Sequence, residues 1–188
     1  MKNSKLKEIL IPTVSLFLIC AVVTALLGVT NSVTEPKIQK LQEELLTKTK
    51  QSVLSEADTF AEGKEYDGIM AFDGFKNDNK VGTAYRVTEK GYGGDITMMI
   101  GVGCDGKVTG VDFLSISETA GLGMNADTPK FKEQFIGKIK NIAVNKNKPS
   151  GNEIAAITGA TITSTAVTKG VNRVLELHEK IGGGTNNG

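Results

Sequence analysis

The chain has 188 residues, with 22 lysines and arginines against 21 aspartates and glutamates and a formal net charge of +1. So even a balance excludes the concentrated basic face that nucleic-acid binding requires, and the length allows one ordinary domain plus an appendage. Twenty-two glycines, no tryptophan and 5% aromatic residues point to many turns around an aliphatic core; the glycines follow no period, which excludes low complexity and internal repeats.

The appendage comes first. Residues 9–29, ILIPTVSLFLICAVVTALLGV, run for 21 positions without a charge, enough to cross a bilayer core as a helix rising about 1.5 Å per residue. Pro12 falls in the first turn, where a missing N–H costs little. A secretory signal has a shorter apolar region of roughly 7–15 residues and a small-residue cleavage site, which this run lacks. Ile19 directly before Cys20 also argues against lipoprotein cleavage. The expectation is an uncleaved single-pass anchor. Lys2, Lys5 and Lys7 precede it, whereas Lys37 and Lys40 behind it are mixed with Glu35, Glu43 and Glu44. The positive-inside rule then puts residues 1–8 in the cytoplasm and the soluble domain outside.

The cysteines restrict the chemistry further. Cys20 lies in the apolar run and Cys104 in the soluble part, so no disulfide framework is expected. Two cysteines cannot build a cysteine-ligated zinc site or an iron–sulfur cluster within one chain. The single histidine, His178, leaves no multi-histidine metal site and is read as a structural residue on the last helix.

Behind the span, Pro36 is expected to end the helix, and Ile38, Leu41, Leu45 and Leu46 recur at helical spacing in a juxtamembrane linker and amphipathic helix over residues 30–55. A soluble domain then fills residues 56–182. EYDGIMAFD reads as a weak strand. VGTAYRVT, DITMMIGVG and KVTGVDFLSIS read as successive strands, the last two joined at Asp105-Gly106, a favoured hairpin dipeptide. In TPKFKEQFIGK, Thr128 is placed to cap and Pro129 to open a helix with Phe131 and Phe135 one turn apart. NIAVN is a short strand and KNKPSGNE a polar loop. Val167, Val171, Val174 and Ile181 mark a final helix broadened by Leu175 and Leu177, ended by the glycines from Gly182 and followed by a flexible tail at 183–188. The fold class is α+β: one transmembrane helix and a single mixed, mostly antiparallel domain.

Two stretches stand out. Thr158-Gly159-Ala160-Thr161 opens a run with six hydroxyl side chains in eleven residues, just ahead of the final helix. Gly159 permits a positive φ or a close backbone approach, Ala160 adds no bulk, and Thr161 presents a hydroxyl where unpaired N–H groups and the helix dipole favour a phosphate. A well-capped helix start would use the same residue types. There is no Walker lysine motif, so this is not an ATP loop. In the second stretch, Glu118-Thr119-Ala120-Gly121-Leu122-Gly123, two glycines around one leucine let the backbone fold closely against something flat or bulky. A plain strand-to-helix loop would look alike.

Taken together with the anchor, these stretches resemble the membrane-anchored FMN-binding subunits of bacterial ion-translocating respiratory complexes. The likeness is to the G subunit of the Rnf electron-transport complex and the C subunit of the sodium-translocating NADH:quinone reductase, and it covers essentially the whole chain. The resemblance implies a single-pass protein of the bacterial cell membrane with an extracytoplasmic FMN domain, working with other subunits of an ion-translocating oxidoreductase of the ferredoxin:NAD+ type. It also implies FMN attached covalently to Thr161 by a phosphoester that a separate flavin transferase makes from FAD. Thr158, Gly159 and Ala160 complete that motif, Thr163, Ser164 and Thr165 are implied phosphate contacts, and Glu118, Thr119, Gly121, Leu122 and Gly123 are implied to lie near the flavin. No catalytic side chain and no metal are expected. One position departs from the pattern: Ala155 stands where the motif usually has Asp, with Glu153 nearby. The rival reading is an anchored sensor domain that captures a phosphorylated ligand without a covalent bond.

Overall fold

The computed structural model describes residues 2–182, with side chains from Leu10 onward. The chain divides into two compact units, residues 1–44 and residues 45–188. The first unit consists of the long helix α1 (Lys2–Val53), whose last turns belong to the second unit. Within Leu10–Val53 it is long and apolar enough to cross a membrane, by length and composition.

Pro36 does not end α1, contrary to expectation; the helix runs through it. An interior proline removes one i→i−4 hydrogen bond and crowds the carbonyl four residues back, here that of Ser32, and the exposed residues around it leave that carbonyl room to tilt away. Of the stalk residues, Leu46 packs into the second unit, while Ile38, Leu41 and Leu45 are exposed.

The second unit is built on an antiparallel sheet. β1 (Thr59–Phe60) and β2 (Lys64–Tyr66) pair side by side along β3 (Ile69–Lys76), which is followed across the sheet by β4 (Asn79–Lys90), β5 (Asp95–Gly103) and β6 (Val108–Ser115). EYDGIMAFD is therefore not one strand but a hairpin. Tyr66 faces Ile69 across Asp67 (φ 50°) and Gly68 (φ 74°), both left-handed as a two-residue primed turn demands. Asn77 and Asp78 repeat the device between β3 and β4. The Asp105-Gly106 turn joins β5 to β6 as read, with Gly106 at φ 76°.

Alternation sends one set of side chains to each face. Tyr85, Val87, Met98, Ile100, Val102, Val111 and Phe113 meet Val167, Val171, Val174 and Leu175 of the last helix, α3 (Thr161–Lys180). Ala84, Met99 and Phe72 point the other way and meet Val53 and Leu46 of α1. The sheet is thus covered on both faces. The end of α1 comes so close that Gly101 and Gly110, paired across β5 and β6, face the Val53 backbone, and Thr109 Oγ1 donates to the Val53 carbonyl at 2.5 Å. A side chain on either glycine would overlap Val53.

The connection from β6 to α3 covers the α3 face. Gly123–Asp127 form a 3₁₀ turn, and Pro129 opens the short helix α2 (Pro129–Lys132) at its first position, as expected. Phe131 and Phe135 meet edge to face at 5.5 Å. Two details differ from the sequence reading. The Thr128 hydroxyl donates to the Asn125 carbonyl instead of capping α2, and helical structure stops at Phe135. The reason is tertiary: Gly137, at φ 77°, donates to Val108 while Lys138 accepts from it, so the chain leaves the helix to bridge β6. β7 (Ala143–Asn145) then pairs in parallel with β8 (Glu153–Ala155), a strand that the sequence did not announce. Asn172 of α3 exchanges two 2.9 Å hydrogen bonds with the Ile142 backbone and pins this pair to the helix. Gly182, at φ 80°, closes α3 as read; residues 183–188, expected to be flexible, lie outside the described residues.

Buried polar groups on the α3 face are matched. His178 is buried, and its Nδ1 lies 2.7 Å from the Tyr85 hydroxyl, in keeping with a structural histidine. Burial pushes the Tyr85 phenol well above its usual range. Glu89 is 5% exposed and bridges Lys169 and Arg173 of α3 at 2.8 and 2.5 Å.

Candidate functional site

The sheet delivers three segments to one end. β4 leaves through Gly91-Tyr92-Gly93-Gly94 into β5, β6 ends at Ser115 and runs into Glu118–Gly123, and β8 leads through Thr158-Gly159-Ala160 into α3. These segments enclose a cleft of about 410 Å³ lined by Tyr92, Glu118, Thr119, Leu122, Gly123, Gly159, Ala160, Thr161, Ile162 and Thr163. Two stretches some forty residues apart in sequence therefore form opposite walls of one site.

The threonine wall is built to present a hydroxyl. α3 starts at Thr161, and its N-cap is Ala160, so no side chain caps the helix. The hydroxyl-rich run is not there to cap. Ser164 works one turn in: its hydroxyl accepts from the Ile157 amide at 2.9 Å and donates to the Ala160 carbonyl at 3.0 Å. That bond pair, with the Ala160 amide donating to Ile157 at 2.9 Å, tightens residues 157–160 into a turn. Gly159 takes the left-handed conformation (φ 77°) at its crest. The turn leaves Thr161 half-buried at the first position of the helix, beside the amides that the first turn cannot satisfy internally. Among the described residues, none hydrogen-bonds the Thr161 hydroxyl.

The opposite wall turns on Glu118. Its Oε1 accepts from the amides of Tyr92 at 2.8 Å and Gly93 at 3.4 Å. The carboxylate fills space that side chains on Gly91 and Gly123 would need; a Cβ on Gly123 would stand 2.6 Å from Oε2 and 2.8 Å from Thr163 Oγ1. Gly121 serves differently, at φ 77° in open space. Leu122 projects between the walls, with its Cδ2 3.0 Å from where a Gly159 Cβ would lie.

The sequence-based site residues are thus partly sorted by geometry. Glu118, Thr119, Leu122, Gly123, Gly159, Ala160, Thr161 and Thr163 line the cleft. Gly121 and Thr158 face an adjoining cleft of about 680 Å³, which also receives Lys130, Gln134 and Ala155. Ser164 is buried beneath the turn, and Thr165 opens into a groove with Glu89, Lys90 and Lys169. Glu153, two residues before Ala155, accepts from Asn145 and the Ser150 amide, and the Asn145 bond holds its carboxyl below the usual range. Tyr92 and Ile162 were not singled out by the sequence reading. Tyr92 had a visible signal, an aromatic residue among three glycines between two strands.

An uncapped helix start, a hydroxyl at its first position and a cleft lined by Tyr92, Leu122 and Ile162 suit a phosphorylated planar ligand. No group of three or more metal-ligating side chains occurs among the described residues.

Residues 91–176 match the FMN-binding domain family. The chain is 32% identical over 186 residues to the G subunit of the Na(+)-translocating ferredoxin:NAD(+) oxidoreductase complex of Acetobacterium woodii, covering 88% of this chain and 89% of that protein. It is 34% identical over 178 residues to the G subunit of the proton-translocating ferredoxin:NAD(+) oxidoreductase complex of Clostridium ljungdahlii, covering 93% and 94%. In fold it is similar to the C subunit of the Na(+)-translocating NADH-quinone reductase of Parabacteroides distasonis, with a TM-score of 0.60 and 21% identity over 78% of this chain and 96% of that one.

Proposed function

This chain belongs to the family of G subunits of ion-translocating ferredoxin:NAD(+) oxidoreductase complexes and carries an FMN-binding domain; from that premise we propose that Thr161 holds the FMN covalently, through its phosphate. As one component of such an oxidoreductase the chain relays electrons, and it works with other subunits. FMN, when bound, supplies the redox chemistry at its ring, and the protein supplies attachment, orientation and electrostatics.

The observation that carries the attachment site is the position of Thr161. It is the first residue of α3, its hydroxyl has no internal hydrogen bond among the described residues, and it borders the same cleft as Glu118–Gly123. The unsatisfied amides of that turn and the helix dipole stabilise a phosphate there. Gly159 supplies the left-handed turn ahead of the hydroxyl, and Ser164 locks that turn. Thr163 adds a hydroxyl inside the cleft. Attachment is a transfer reaction. The Thr161 oxygen attacks the riboflavin-side phosphorus of FAD, the pyrophosphate P–O bond breaks, AMP leaves, and the hydroxyl proton passes to a base on the flavin transferase. A tethered cofactor needs no enclosing pocket, which agrees with so open a cleft.

We place the amino-terminal tail in the cytoplasm and the flavin domain outside, on the lysines ahead of the apolar run. Cys104 is exposed in the second unit and gives a direct probe. A membrane-impermeant maleimide should label it on intact cells; labelling only after lysis would reverse the topology.

The primary test is the intact mass of the chain purified from its native membrane, beside Thr161→Ala, with in-gel flavin fluorescence after denaturation. One added FMN less one water, lost in Thr161→Ala, is the expected result. A native chain without that mass would refute attachment at Thr161.

A further inference from the structure

The Tyr92 side chain is 73% exposed, yet its backbone amide is held by the Glu118 carboxylate. It sits at the tip of the β4–β5 turn, closed by a 2.8 Å hydrogen bond from the Gly91 amide to the Gly94 carbonyl. Glu118 reaches across from the opposite segment to accept from the Tyr92 and Gly93 amides. Around that carboxylate the chain has glycine at 91, 93 and 123. Side chains there would overlap Glu118, the Ser117 carbonyl, or both Glu118 and Thr163. Three glycines and a carboxylate thus serve to hold one exposed aromatic ring at the rim of the cleft that Thr161 borders.

We propose that Tyr92 packs against one face of the flavin ring, and that Glu118 is the positioning residue that holds Tyr92 there through its backbone. The inference rests on the FMN reading above. Offset stacking is the favoured contact between a phenol and a flat conjugated system, and it tolerates substitution by another aromatic ring. Tyr92 is the one aromatic residue lining the cleft among the described residues. It covers a single face, which leaves the remaining ring surface open to an electron-transfer partner. Of the Glu118 carboxylate, Oε1 accepts from both amides, and Oε2 lies against the space that a side chain on Gly123 would fill. The glycine at 123 is accordingly explained by clearance for Glu118 and not by close approach to the cofactor.

The test uses the full-length flavinylated chain in detergent, with the adduct of every variant verified by intact mass. A phenol in contact with an excited flavin quenches its fluorescence by giving up and regaining an electron, whereas a phenylalanine ring in the same place shields without quenching. Tyr92→Phe should therefore brighten the flavin several-fold and leave its accessibility to iodide unchanged. Tyr92→Ala should brighten it and also raise iodide quenching several-fold. Glu118→Ala should move both readouts part of the way with Tyr92 still present, and Glu118→Gln, which keeps an acceptor oxygen, should restore them. A flavinylated Tyr92→Ala chain with wild-type brightness and wild-type iodide access would overturn the inference while leaving attachment at Thr161 standing. A wild-type chain without the adduct would instead overturn both.

Discussion

Gly123 and Gly121 lie in one loop and are required for different physical reasons, a distinction that mutation resolves. A methyl group at position 123 would stand 2.6 Å from Glu118 Oε2, 2.7 Å from Glu118 Cβ and 2.8 Å from Thr163 Oγ1. The Cβ of Glu118 is fixed by its backbone, so rotating the carboxylate away relieves only part of the overlap. Overpacking of this kind costs about 2 kcal/mol, within the usual 1–3 kcal/mol. For a domain of this size that lowers Tm by roughly 4–8 °C. Gly121 has open space around its missing side chain but a φ of 77°. Gly121→Ala costs about 1–2 kcal/mol through the backbone alone, and Gly121→Asn recovers much of it because asparagine tolerates that region. Gly123→Asn should recover nothing. Thermal melts of the four variants are the assay, with amide exchange at Tyr92 and Gly93 as a local readout that Gly123→Ala should accelerate. If Gly123→Ala melted within about 1 °C of wild type with unchanged exchange, Glu118 would not occupy the space assigned to it.

The remaining predictions test the frame around the site. Burial by itself would raise the Glu89 carboxyl, but its bonds with Lys169 and Arg173 outweigh burial and hold it below the usual range. A depressed carboxylate stabilises the fold above its unfolded value of about 4.3, and that contribution is lost as pH falls through the folded value. The stability gap between wild type and Glu89→Gln, read from melts between neutral and acid pH, should therefore close at the acid end; a constant gap would refute the coupling. Gly101→Ala drives a methyl into the Val53 carbonyl and Thr109 Oγ1, and should cost about 3 kcal/mol by urea denaturation, at the top of the range for overpacking. Tyr85→Phe withdraws the hydroxyl from His178 Nδ1 inside the core and should cost about 1–2 kcal/mol in the same assay, the worth of a buried hydrogen bond.

What was legible in the sequence was whatever repeats or is chemically local. The apolar run needs only counting. The period-two stretches became β4, β5 and β6, and the valines spaced along the last helix became its buried face, because each pattern reports one element's own geometry. The left-handed glycines at 106 and 182 were readable for the same reason. The Asp67-Gly68 turn carried an equally local signal, but the short strands around it hid it inside an apparent single strand.

Tertiary structure alone decided the rest. Pro36 reads as a helix end in any local rule, yet one lost hydrogen bond does not outweigh the turns on either side of it. Helical structure stops at Phe135 because the next residues bond to β6, and β8 pairs with a β7 that Asn172 holds to the last helix through Ile142. The hydroxyl cluster shows the same limit most clearly. From the sequence, Thr163, Ser164 and Thr165 were grouped as contacts for one phosphate beside Thr161; in the fold Ser164 closes a turn, Thr163 lines the cleft, Thr165 faces another groove, and Thr161 borders both. Residue types announce which chemistry is available, but a side chain's direction depends on backbone angles set by contacts far away in sequence. That is why Tyr92 and Glu118, remote in the chain, became partners only once the sheet had brought their turns together.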